Sequence, residues 1–163
     1  MHGRIFIIDT YRDIKKRGEL YEPVWEEWEM AKWIPGCDYV CESDRFSEDC
    51  EWFRDVYSLN GHMQRKVMYG QTVYEVSLEP FIESLKKQRE KRIEKIRAEL
   101  EKDPPDMWRI HHIAWSDSGF WFIIASENSF TPEMGFLEYL ERYHKHYPEV
   151  SSILITHSYD YHI

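Results

Sequence analysis

The sequence predicts a single α+β domain over residues 1–163. Its sheet is expected to be mainly antiparallel, two hairpins plus N- and C-terminal strands, packed with three to four helices. Three observations carry this. Two stretches, residues 63–78 and 107–126, each read as strand–turn–strand. Helical stripes of apolar residues separate them. No repeat, low-complexity tract or flexible linker divides the chain, and 163 residues bury a core without disulfides.

Each element follows from local chemistry. RIFII (residues 4–8) is a buried strand that stops at Asp9, and the charged stretch 10–20 has no clear period. EPVWEEWEMAKW reads as a helix from Glu22, with Pro23 in its first turn, Glu22, Glu26 and Glu27 favouring the N-terminal dipole, and Pro35-Gly36 as the stop. A short strand over 37–41 follows. Phe46, Cys50, Phe53 and Tyr57 recur at helical spacing, with Ser43 or Ser47 as cap and Asn60-Gly61 as end.

HMQRKVMYGQTVYEVSL is a hairpin whose Gly70-Gln71 loop suggests a type II′ turn, pairing Tyr69 with Thr72 and Val67 with Tyr74. Residues 79–102 form the longest helix, striped by Ile82, Leu85, Ile93, Ile96 and Leu100, and ended by Pro104-Pro105. In the second hairpin, MWRIHHIAW turns through SDSG into FWFIIAS. Trp115 then faces Phe120, Ile113 faces Phe122 and His111 faces Ile124. Both faces of this pair are apolar, so it should be central. Thr131 caps a last helix with Pro132 at its first position and a stripe of Phe136, Leu137, Leu140, Tyr143 and Tyr147. The final strand spans 152–158, after which the chain is expected to run into water.

Composition narrows the class. No run reaches the ~18 apolar residues of a membrane span, and MHGRIFIIDTYRD lacks a signal-peptide plan, so a soluble cytoplasmic protein is expected. Three cysteines, an odd count, argue against a secreted disulfide framework. Scarce amides (two Asn, three Gln) beside abundant Glu, Lys and Arg suggest a thermophilic source, with a virus or mobile element as a further expectation. The net charge of −9 is uneven: residues 19–55 hold twelve acids against three bases, and residues 86–97 seven bases against two acids. Nucleic acid is therefore not expected as a direct ligand, nor a membrane surface.

Several residue sets could carry chemistry. Asp9 at a strand end, with Asp13 four residues on, is a pattern in which carboxylates hold Mg²⁺ for hydrolase or nuclease chemistry; the alternative is that Asp9 caps the turn. Histidine acid–base chemistry on a phosphoester could pair His111 or His112 with His157, although none sits in a His-x-Thr/Ser element. Cys37, Cys41, Cys50 and His62 match no zinc spacing and read as separate thiols. No phosphate loop, dinucleotide fingerprint or nucleophile elbow occurs, and the residues name neither metal nor cofactor. Trp25, Trp28, Trp33 and Trp52 among the acids suggest a partner-binding surface, for another protein or a second copy of the chain. An interaction protein is thus the leading expectation, and catalysis by strand-end carboxylates or histidines the alternative.

Overall fold

The computed structural model describes residues 2–116 and 119–163. Its strands are β1 (His2–Asp9), β2 (Tyr39–Glu42), β3 (Met63–Met68), β4 (Gln71–Ser77), β5 (Phe120–Ile124), β6 (Ser129–Pro132) and β7 (Ser152–His162). Its helices are α1 (Tyr11–Arg17), α2 (Glu27–Trp33), α3 (Phe46–Val56), α4 (Leu78–Leu100), α5 (Met107–Ser116) and α6 (Glu133–His146). The fold is α+β with a single mixed sheet in the order β3-β4-β7-β1-β5-β6, and β2 also pairs with β7.

The expected mainly antiparallel sheet is corrected at its centre: β1 and β5 run parallel, Phe6 beside Phe122. The reason is that MWRIHHIAW is helix α5, not a strand. Asp106 Oδ1 accepts the Arg109 amide at 2.9 Å and so caps it. A helix presents Ile110 and Ile113 on one side, which the alternating reading had divided between two sheet faces. The helix count is also six among the described residues, against the three to four expected. Asp117 and Ser118, at the tip of the expected turn, and the side chains of Trp115 and Ser116 lie outside the described residues.

The first hairpin exists with a different turn. Tyr69 and Gly70 both have positive φ, at 51° and 75°, which is the requirement of a type I′ loop. Met68 therefore pairs with Gln71 and Val67 with Thr72, a register two residues from that expected. A shift of two preserves which residues share a face, so the pattern survived the error.

Helices α3, α4 and α6 cover one face of the sheet, over Phe6, Ile8, Phe120, Phe122, Ile153 and Ile155. Phe53 and Phe136 fill this layer, each ring worth roughly 1.5–3 kcal/mol on burial. The opposite face carries Ile5, Ile7, Trp121 and Ile123 under Met30 and Ile34, from α2 and its C-cap, while Ile14 of α1 packs on Val73 and Leu154. Both faces of the β1–β5 pair are thus covered, as its continuous apolar text requires.

Strand β7 is longer and more central than expected. Tyr161 is buried, its hydroxyl donating to the Gly119 carbonyl at 3.0 Å, and residues 159–162 are paired with β1 and β2 within the sheet instead of leaving it. Buried Arg4 fixes this end. Its Nε donates to Asp49 Oδ1 at 2.5 Å and its Nη1 to Asp160 Oδ1 at 2.5 Å, while Asp49 Oδ2 accepts the hydroxyls of Ser43 and Ser158. One guanidinium thereby joins β1, β7 and α3 with its charge neutralised.

Helix α2 starts later than expected because Glu26 and Glu29 form a capping box, leaving residues 18–26 as a loop. Likewise Thr131 belongs to β6, and Pro132 is the N-cap of α6. In α4, Leu85, Arg92 and Glu99 repeat at seven residues on the buried side, while Ile93 and Leu100 are exposed. Its outer half therefore packs through charges, with Glu99 held by Arg109 at 2.9 Å and Lys102 at 2.7 Å.

Candidate functional site: an acidic cavity at a split in the sheet

Strand β7 changes neighbours along one edge. Ile155 is paired with Tyr74 of β4, and Tyr159 is paired with Glu42 of β2. Between them the sheet splits. On its other edge β7 carries a bulge: Ile7 pairs with His157 and Ile8 with Ile155, which leaves Thr156 as the extra residue. Bulges re-aim side chains and recur beside functional sites.

A cavity of about 530 Å³ opens at this split. Ile7, Thr156, His157 and Tyr159 form its floor; Glu19, Tyr21, Glu22 and Pro23 come from the loop after α1; Glu42, Tyr69 and Gln71 close it. No lysine or arginine is among these residues. His157 Nε2 lies 2.8 Å from Glu42 Oε1, and its ring meets Tyr159 edge-on at 5.5 Å. Glu19 and Glu22 have no cationic partner among the described residues. The Thr156 hydroxyl is buried without a hydrogen-bond partner. Burial first, then the carboxylates of Glu42, Glu27 and Glu22, push the Tyr159 hydroxyl up to about 12. The cavity is therefore a region of negative potential walled by aromatic rings.

A second, shallower depression lies on the same side of the sheet, lined by Trp25, Trp33, Trp121 and Phe130. Trp25 and Trp33 meet edge-on at 4.9 Å, and Trp33 is 5.2 Å from Phe130. The Tyr21 hydroxyl, from the cavity wall, donates to Asn128 at the depression's rim. Trp28 is also on α2 and 59% exposed, with the Lys32 ammonium 4.0 Å above its ring. Trp52 is elsewhere: it packs on Phe120 at 4.7 Å, in the α3 layer. Three of the four tryptophans thus share one side, and the fourth does not.

The candidate catalytic residues are distributed as follows. Asp9 is buried at the end of β1, where it accepts the Thr10 amide at 2.9 Å and pairs with Arg17. Burial raises its carboxyl above the ordinary value, partly offset by those two contacts. Asp13 accepts the Thr10 hydroxyl at 2.6 Å, while Thr10 caps α1. Both carboxylates are engaged, and no three His, Cys, Asp or Glu side chains among the described residues are grouped to hold a metal. His111 and His112 lie on α5, which packs on α4. His112 lines a separate cavity with Trp108, Arg109 and Lys95 that shares no residue with that of His157. The histidines therefore do not converge.

Sequence reasoning missed Glu19, Glu22, Glu42, Tyr21, Tyr69, Thr156 and Tyr159 as a group. The first four fall in or beside the acidic segment already singled out, but a bulge and a change of strand partner leave no mark in residue periodicity. No helix among the described residues is long and apolar enough to cross a membrane. The chain matches no protein-family model, no curated protein and no solved structure.

Proposed function

We propose that this chain is a binding protein that receives a basic segment of a protein partner, a lysine or arginine side chain entering the cavity at the split. The observation that carries the reading is the cavity's charge: Glu19, Glu22 and Glu42 line it, and no lysine or arginine does. A cation there gains carboxylates, the neighbouring rings of Tyr69 and Tyr159, and the Thr156 hydroxyl as an acceptor for its N–H. The neighbouring Trp25–Trp33–Phe130 depression suits an apolar residue flanking the basic one. The volume is in the range of ligand cavities, about 300–1,000 Å³. Three free cysteines agree with a cytoplasmic setting.

Titration with a Lys/Arg-rich peptide and a Glu-rich peptide of equal length tests the reading. The basic peptide is expected to bind with an affinity that falls as salt rises. The triple variant Glu19→Gln, Glu22→Gln, Glu42→Gln should weaken it about tenfold or more. Equal binding of both peptides, or a salt-independent signal, removes the proposal.

A second reading rests on the Glu42–His157 contact of 2.8 Å. A histidine oriented by a carboxylate in a cavity has the arrangement of a general base. Assay of wild type and His157→Ala on generic phosphodiesters decides it; no turnover by the wild type ends it.

A further inference from the structure

The β1–β5 pair, parallel and central, sends both strands to the same edge of the sheet. There β1 passes through Thr10 into α1, and β5 into the 3₁₀ turn Ala125–Glu127. In open α/β sheets ligands bind in the crevice outside the carboxyl ends of parallel strands. At this place the C-terminal half of α6 closes a cavity of about 430 Å³, remote in charge and composition from the acidic one.

Its lining is basic and rich in donors. Arg12, Lys16, Arg142 and His146 face it, against Asp13 and Glu127. The two acids are spent locally: Glu127 pairs with Arg142 at 2.6 Å, and Asp13 accepts the Thr10 hydroxyl. Neither Arg12 nor Lys16 pairs with a carboxylate among the described residues, and the Arg12 guanidinium sits 4.2 Å over the Tyr147 ring, which leaves its N–H groups to an incoming acceptor. The Tyr143 side chain is 7% exposed and its hydroxyl makes no hydrogen bond of normal geometry, the Thr10 hydroxyl beside it being committed to Asp13. The Tyr139 hydroxyl, 3.0 Å from Ser126 Oγ, adds another polar group.

We infer that this cavity binds a small phosphate-bearing anion, with Arg12 and Lys16 supplying charge and the Tyr143 hydroxyl donating from the interior. Phosphate fits better than a carboxylate because its several oxygens can accept from donors on α1 and α6 together. The inference does not depend on the proposed capture of a basic segment, which uses other residues.

The test is amide NMR of the whole chain titrated with inorganic phosphate, pyrophosphate and succinate at matched ionic strength. Saturable shifts are expected around residues 10–17, 125–127 and 139–147, with pyrophosphate tighter than phosphate and succinate weakest. The double variant Arg12→Met, Lys16→Met, both exposed positions, should weaken pyrophosphate about tenfold or more. Tyr143→Phe should weaken it several-fold without lowering the melting temperature. Absence of saturable shifts up to about 20 mM pyrophosphate, or shifts centred on the basic helix residues 86–97, overturns the inference. So does equal binding of succinate, or unchanged affinity in the double variant.

Discussion

Arg92 of α4 donates to Glu133 Oε1 at 2.5 Å, both side chains buried, and the second oxygen of Glu133 accepts the Tyr57 hydroxyl at 2.6 Å. This relationship ties α3, α4 and α6 together beneath the sheet. It is a demanding one, since Arg92 Nε and Nη1 are buried without partners among the described residues.

Removing one charge of that pair strands the other. Glu133→Leu is expected to destabilise by about 3–5 kcal/mol, and Arg92→Met by a similar amount. The double variant Arg92→Met, Glu133→Leu should cost clearly less than the sum of its singles. Urea unfolding of the four proteins measures the coupling, and strict additivity would show the pair to be energetically idle.

Asp9 gives a pH dependence of definite sign. Its folded-state carboxyl titrates above the ordinary aspartate value, mainly through burial. The native state therefore holds this proton longer than the unfolded chain does. The group's stabilising contribution is complete below about pH 4 and is lost as pH rises through its folded value. The melting temperature of Asp9→Asn relative to wild type should thus move upward as pH rises from about 4 through the folded value. A difference that is flat, or that moves downward, contradicts the buried-carboxyl account.

Gly3 is required by its neighbours. A Cβ at this position would overlap the ring and hydroxyl of Tyr161 and the carbonyl of Gly119, two of them fixed by the Tyr161–Gly119 hydrogen bond. Gly3→Ala is expected to cost about 1–3 kcal/mol or more, because backbone and a buried ring must both shift. Denaturant midpoints measure it; a neutral result would mean that β1 and β7 separate more easily than their packing implies.

Thr156 offers the opposite sign. Its buried hydroxyl has no partner, so Thr156→Val removes an unsatisfied polar atom at nearly constant shape. Stability should be unchanged or rise by up to about 1–2 kcal/mol, while binding of the basic peptide weakens. A loss above about 1 kcal/mol would indicate that the hydroxyl is satisfied by water in solution.

Much of the fold was legible where one residue pattern had one meaning. Phe46, Cys50, Phe53 and Tyr57 could only be a helix, and α3 is that helix. MWRIHHIAW had two meanings, because apolar residues on both alternating faces suit a central strand as well as a packed helix; the deciding signal was the small one, Asp106 as N-cap after Pro105. The parallel pairing of β1 with β5 joins residues far apart in the chain and has no local trace. The candidate site was half visible. Carboxylates and aromatics were read from the segment around Glu19, Glu22 and Glu42, but their meeting with Thr156 and Tyr159 depends on the bulge at Thr156 and on β7 exchanging β4 for β2.

The Arg4–Asp160 contact joins residues 156 apart in sequence, at the junction of the sheet's two central strands. A ribosome must therefore deliver β7 before β1 can have both of its neighbours. Until then the apolar run IFII lacks the strand on its β7 side, and the closing event carries a large loop-entropy cost. Refolding should accordingly be slow for a domain of this size, and the nascent chain should be a client for whatever shields exposed strands during synthesis.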